Sequence, residues 1–347
     1  MKPFIKYILL GALLLFGLSL PQESKAAEEI NATQLVMEHT ADAHDWHITT
    51  INGHAISIPL PVIIKTSQGW QCFMSNQMGP KLQSLGLTLK EGKIYEGSKR
   101  VLDISITKDV VQLWIVVILL IIIFVSCSRW YKGKKPSDGA PKGFVGLIEM
   151  LTMFIYDDII KETIPEKHIH KYAPFLLTAF FFIFLSNIMG LIPIFPGGAN
   201  LTGNIAITFF LALCTMLLVN LFGNKHYWKD IFWPDVPWWL KVPIPIIPVI
   251  ELFGVFTKPF ALMIRLFANI FGGHAVAISL TCVIFITFQK SIVTGASVGS
   301  ISFLLMIFMD FLELLVAFIQ AFVFTMLSSV FIGLAHQGEE EPQKKLA

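Results

Sequence analysis

The last third of the chain holds two apolar runs too long to be ordinary membrane spans. Ile244–Phe288 covers about 45 residues and Gly299–Ala335 about 37. As helices rising 1.5 Å per residue they would be on the order of 55–70 Å long, against a hydrocarbon core of about 30 Å. Dividing them into four short spans requires polar breaks, and Gly272-Gly273 is the only soft point. The pattern therefore predicts two long, steeply tilted helices forming an antiparallel hairpin through a Gln289–Val298 loop. Tilts so steep exceed the usual range and imply another protein against which the hairpin leans.

Three shorter apolar runs precede the hairpin: Val110–Cys127, Ala173–Phe195 and Asn204–Phe222. The first is apolar apart from Gln112, Trp114 and Ser126. With 54% apolar and 14% charged residues and a mean hydropathy of +0.68, the chain reads as an all-α polytopic membrane protein with five membrane helices. The lipid bilayer is thus its first partner. The net charge of +2 is spread over helix ends rather than gathered in one patch, which gives no footprint for nucleic acid.

Residues 1–26 have the form of a cleaved signal peptide. Lys2 and Lys6 open it, Ile8–Leu20 is its apolar core, and Ser24-Lys25-Ala26 is a small-x-small cleavage site. Residues 27–108 are polar, with short alternating runs at Ala55–Ile58 and Val101–Ile106, so a small strand-containing extracytoplasmic domain is expected. Its histidines, His39, His44, His47 and His54, lack metal-ligand spacing and read as solvated surface residues. Cys72 stands alone in this region, so no disulfide framework and no metal site is expected.

Basic residues orient the remainder. Arg129, Lys132, Lys134, Lys135 and Lys142 follow the first span, and Lys225, Lys229 and Lys241 with four tryptophans follow the third. Both loops are cytoplasmic by the positive-inside rule, which puts the N-terminus outside and the C-terminus in the cytoplasm. Phe144–Ile160 is expected as a helix on the cytoplasmic membrane surface. The membrane domain then spans 109–336, with a cytoplasmic tail at 337–347.

Polar residues inside the long runs carry the functional signal. Arg265 lies more than twenty residues from either end of its apolar run, where a charge costs roughly 2.5–3.5 kcal/mol on insertion scales. Glu251, Lys258 and Arg265 are seven apart and drift only about 20° per step around a helix. Asn269 shares the Arg265 face, whereas His274 turns to roughly the opposite one. Asp310, Glu313 and Gln320 form a second track on the last helix. Ionisable residues in hydrocarbon usually mark proton or ion relays. Nucleophile–base pairs, phosphate loops and cofactor motifs are lacking, so the chain reads as a conduit and not an enzyme in itself.

These residues resemble subunit a of the F-type rotary ATP synthases. The resemblance rests on Lys258-Pro259-Phe-Ala-Leu-Met-Ile-Arg265-Leu-Phe-Ala-Asn269, on Ile319-Gln320-Ala-Phe-Val-Phe, and on Ser186-Asn187-Ile-Met-Gly190-Leu-Ile-Pro193 followed by Ala199-Asn200-Leu. It covers about 110–336 and does not reach residues 27–108. Many bacterial members have Glu where this chain has His274 and His where it has Glu313, so the chain resembles the swapped arrangement also found in mitochondrial-type members. Setting Arg265 opposite Gln320 in an antiparallel hairpin places residue 274 across from about 311, within a turn of Glu313.

The resemblance implies a proton-translocating stator working against a rotating ring of subunit c, with peripheral stalk subunit b and the other ATP synthase subunits as partners. Arg265 would lower the pKa of an arriving ring carboxylate, pair with it when ionised, and separate two aqueous half-channels. Asn269, His274, Asp310 and Glu313 would line the outer half-channel, and Glu251 the inner one, with Lys258 at the cytoplasmic interface. The His274–Glu313 pair favours H⁺ over Na⁺. A self-contained proton-coupled secondary transporter is the alternative; it predicts repeated halves and broken helices, which the sequence lacks.

Overall fold

A computed structural model describes residues 42–51, 54–90, 92–134, 139–192, 196–233, 246–290 and 292–337. The signal segment, His39 and nearly all of the C-terminal tail lie outside the described residues.

The N-terminal region folds into three small antiparallel sheets. Strands β1 (Asp45–Ile51) and β2 (His54–Pro59) form a hairpin. Strand β3 (Pro61–Thr66) lies between β4 (Gly69–Met74) and β8 (Leu102–Asp103), and β6 (Lys93–Glu96) lies between β5 (Leu87–Lys90) and β7 (Lys99–Arg100). Alternation sets the core. Val62 and Ile64 of β3 point inward with Phe73, Ile94 and Val101, and Leu82 of the short helix α1 (Met78–Ser84) closes over them. His44 departs from the solvated state expected of it. It is buried, with Nε2 2.8 Å from Asp103 Oδ2. That hydrogen bond raises the His44 pKa against the opposing effect of burial. Burial pushes the Asp103 carboxyl up, but hydrogen bonds from His44 and Ser105 outweigh it and hold the group at about 2. The pairing joins residues 59 apart, which periodicity does not reveal.

Among the described residues, five helices are long and apolar enough to cross a membrane. The first, α2 (Lys108–Tyr131), grows straight out of the sheet domain. Its Lys108 amide donates to the Ala43 carbonyl at 3.0 Å. Helix α3 (Phe144–Ile155) continues through a π-helical turn at Tyr156–Ile160. There Ile155, Ile159 and Ile160 are buried, while Phe144, Leu147 and Met150 stay exposed.

Helix α4 (Glu166–Leu191) is the pillar of the membrane domain. Ile169, Tyr172, Leu176, Phe180 and Ile183 recur at three to four residues and form one buried stripe. The helix begins at Glu166 rather than near Ala173, because its first turns carry a polar overhang that hydropathy alone does not count as span. Helix α5 (Ile205–Phe222) starts at Asn204, whose side chain accepts the Ala206 amide at 3.0 Å. A short helix, α6 (Lys225–Phe232), follows.

The hairpin comprises α7 (Ile246–Lys290) and α8 (Ile292–Leu334), of 45 and 43 residues. The expected Gln289–Val298 loop is largely helical instead: Gln289 and Lys290 belong to α7, and Ile292 to Val298 belong to α8. Close approach explains the difference. A Cβ on Gly295 would sit 2.7 Å from the Phe288 backbone, and one on Gly299 would sit 3.0 Å from the Phe288 ring. Glycine spacing lets the first turns of α8 fold back directly on α7.

Candidate functional site

The hairpin keeps one antiparallel alignment along its length. Thr281 donates to the Met306 sulfur at 3.5 Å, His274 faces Glu313, and the Lys258 ammonium lies 5.8 Å from the centre of the Phe331 ring. The same alignment sets Arg265 level with about Phe322, some 3 Å along the axis from Gln320.

Arg265 and Asn269 both lie on the exposed face of α7, beside exposed Ala261 and Ala268. Leu262, Met263, Leu266 and Ile270 turn inward and anchor the helix. The guanidinium forms no ion pair with any of the described residues. An unpaired charge on an apolar, protein-exposed face calls for a partner from outside the chain. The neighbouring alanines leave room for one to approach closely.

His274 points the other way. Its Nδ1 lies 3.6 Å from Glu313 Oε1, and Glu313 is buried. Gly273 makes the pairing possible: a Cβ there would stand 2.9 Å from Glu313 Oε1. The other ring nitrogen of His274 faces α4, 3.7 Å from where a Cβ on Gly190 would be. Here the buried stripe of α4 changes from apolar to polar at Ser186 and Asn187. Asn187 Nδ2 donates to the Ala317 carbonyl of α8 at 3.2 Å, and its Oδ1 accepts from Thr202 at 2.6 Å. The first bond ties α4 to α8 beside the His274–Glu313 pair and the second ties α4 to the Leu201–Gly203 turn, and the sequence gives no hint of Thr202 in that role.

The expected outer set is therefore split. His274 and Glu313 turn into the protein, whereas Asn269 and Asp310 are exposed on the hairpin surface. Gln320 is buried, one turn from Ala317 and beside Ala321. Glu251 and Lys258 are exposed, and Gly254 lies between them, its Cβ position 4.0 Å from Glu251 Oε2 and 3.7 Å from Lys258 Cε. Lys258 also borders a cleft with Thr215, Asn220 and Tyr227. Burial, and secondarily the Glu251 charge, raises the Tyr227 pKa. Among the described residues no cluster of three His, Cys, Asp or Glu could hold a metal ion.

Comparison with known proteins adds two family matches. The model described as ATP synthase A chain matches residues 110–333, and one described as a domain of unknown function matches 35–109. ATP synthase subunit a of Pelodictyon phaeoclathratiforme is 44% identical over 254 residues, covering 71% of this chain and 70% of that protein. The corresponding proteins of Chlorobium phaeobacteroides strain DSM 266 and Myxococcus xanthus are 43% and 38% identical, covering 69% and 67% of this chain and 67% and 74% of theirs.

Proposed function

Because the chain belongs to the family of ATP synthase subunit a, the proton-translocating membrane stator of the F-type enzyme, we propose that the Arg265 face of α7 is its contact with a ring of subunit c. The observation that carries this is the Arg265 guanidinium on the exposed face of α7, which forms no ion pair with any of the described residues. A ring carboxylate arriving there meets a fixed cation in a low-dielectric setting, which favours its ionised form and proton release. The same charge repels protons and keeps two water paths apart.

In this reading the sheet domain and the start of α2 are on the outer side and the loops after α2 and α5 on the cytoplasmic side, supported by the basic residues and tryptophans of those loops. The outer path then reaches the ring through His274 and Glu313, with Asn269 and Asp310 on the hairpin surface where it meets the ring. Glu251 and the cleft beside Lys258 serve the inner path. Gln320, nearly level with Arg265, borders both.

The contact is tested by disulfide cross-linking. A cysteine replacing Ala268, beside Arg265, should cross-link to a cysteine placed next to the ring carboxylate in the assembled enzyme. A cysteine replacing Ile118 on the outward face of α2 should not. Cross-linking from position 118 and none from position 268 would place the ring elsewhere.

A further inference from the structure

The first turns of α7 have little support from their own chain. Residues 247–258 are all exposed or half-buried, and Pro259, which follows them, is buried. Proline lacks the amide that would bond to the Val255 carbonyl, and its ring crowds that turn, so the helix bends most readily here.

Beside Pro259, between α5 and α7, lies a cavity of about 330 Å³. Buried Ala212 lies at its base with Leu213 and Met216, and Phe209, Phe256 and Phe260 are exposed at its rim. Among its lining residues only Thr257 is polar, and that hydroxyl turns to its own helix, 3.5 Å from the Gly254 carbonyl. A buried water needs about two to four polar partners, which these walls do not supply. Left empty, the space would strip packing contacts from every residue around it. The occupant is therefore apolar.

Its shape selects a flexible chain over a helix. Helices that pack in membranes approach through small residues, whereas three phenylalanine rings stand at this rim. A thread of methylene groups passes between such rings. Phe256 and Phe260 precede Arg265 by nine and five residues, which turns them roughly 140–180° around α7 from it. The cavity thus faces away from the Arg265 surface. It adjoins the exposed apolar stripe of Phe210, Leu217 and Leu221 on α5.

The seam between α5 and α7 ends at α6, which packs on α7. Tyr227 of α6 borders the smaller cleft that shares Met216 and Pro259 with the cavity. Lys225, Lys229, Phe232 and the following Trp233 are exposed there, cations and aromatic rings as a membrane–water interface holds them. At about 1.5 Å per residue, the cavity lies roughly 9–20 Å along α5 from Phe222. One leaflet's chains reach that depth, filling half of a core about 30 Å thick.

We propose that this cavity binds one acyl chain of an anionic phospholipid from the leaflet on the α6 side, with its phosphate at Lys225 and Lys229. The chain fills the space beside Pro259 and braces α7 from the side opposite Arg265. The site stands whether or not a ring occupies the Arg265 face.

The test uses assembled ATP synthase in phosphatidylglycerol vesicles doped with a phosphatidylglycerol that carries a diazirine in one acyl chain. After extraction into detergent and washing, illumination should cross-link retained lipid to peptides 209–216 and 256–260. Ile118 and Ile121, on the exposed face of α2, should not be cross-linked. Leu213→Trp, which fills the cavity, should lower the yield about tenfold with the complex intact. Should Leu213→Trp fail to assemble, Thr257→Trp fills the cavity from its exposed edge and carries the same expectation. Equal cross-linking of the cavity and α2 peptides would mean a general lipid shell only and overturn the site. So would absence of cross-linking at the cavity, or a yield unchanged by the filling variants. A phosphatidylcholine bearing the same diazirine should cross-link less; an equal yield would overturn the phosphate contact.

Discussion

Helices α4 and α7 are about equally apolar along their membrane-crossing stretches, yet half of the α4 stretch is buried inside the protein and 11% of the α7 stretch. Hydropathy reports that a segment leaves water; it does not report whether lipid or protein receives it. In α4 the apolar stripe is consumed by α8, by α2 and by the π-helical turn after α3, which makes it a scaffold. In α7 many apolar residues, Phe253, Phe256 and Phe260 among them, face outward, with Arg265 on the exposed side. The scaffold fixes polar groups inside the protein, at Asn187 and Ser186. The hairpin presents them to a partner.

The largest effect expected from this contrast is on stability. Phe180→Ala, in the fully buried stripe of α4, should cost about 3–5 kcal/mol and reduce the amount of folded protein. Phe256→Ala, on the exposed surface of α7, should change the thermal unfolding of the purified subunit by no more than about 0.5 kcal/mol. Equal unfolding shifts for the two would erase the distinction between scaffold and working surface.

Next in size are changes at the seam between them. Glu313→Leu should lower ATP-driven proton pumping by at least about tenfold, or 1.4 kcal/mol, with assembly unchanged. Gly273→Ala should fall between wild type and Glu313→Leu, because its methyl group would stand 2.9 Å from Glu313 Oε1 and displace the carboxyl from His274. Proton-flux assays in vesicles measure both. A wild-type rate for Gly273→Ala would mean that the His274–Glu313 approach is dispensable.

The smallest effect concerns the sheet domain. His44→Ala should destabilise it by about 1–2 kcal/mol through loss of a buried hydrogen bond to a charged group. The sign of the pH dependence follows from the two shifts. The raised His44 pKa contributes stability fully below about 6.5 and loses it as pH rises through the higher folded value. The lowered Asp103 pKa contributes above about 3.9 and loses it as pH falls toward about 2. The wild-type advantage over His44→Ala should therefore be greatest between about pH 4 and 6.5 and shrink on either side. Hydrogen exchange of β3 amides across pH reads it directly.

Much of this was legible in the sequence, for reasons that differ by region. The long hairpin followed from run length against bilayer thickness, and Arg265 from the cost of a charge in hydrocarbon. A seven-residue spacing together with an antiparallel register put residue 274 within a turn of Glu313. The remainder depends on contacts between distant segments. Asn187 bonding to Ala317 and Thr202, and His44 to Asp103, are tertiary pairings with no period to betray them. The helical start of α8 depended on glycines packing against Phe288, where composition alone indicated a loop.

The central claim is that Arg265 is both the partner of an incoming ring carboxylate and the barrier between two water paths. Proton flux through vesicles carrying Arg265→Ala, driven by ATP and also passively by an imposed gradient, tests it most directly. Loss of ATP-driven pumping with the complex intact, together with a raised passive leak, is the result expected. Coupled pumping at the wild-type rate, with no added leak, would contradict it.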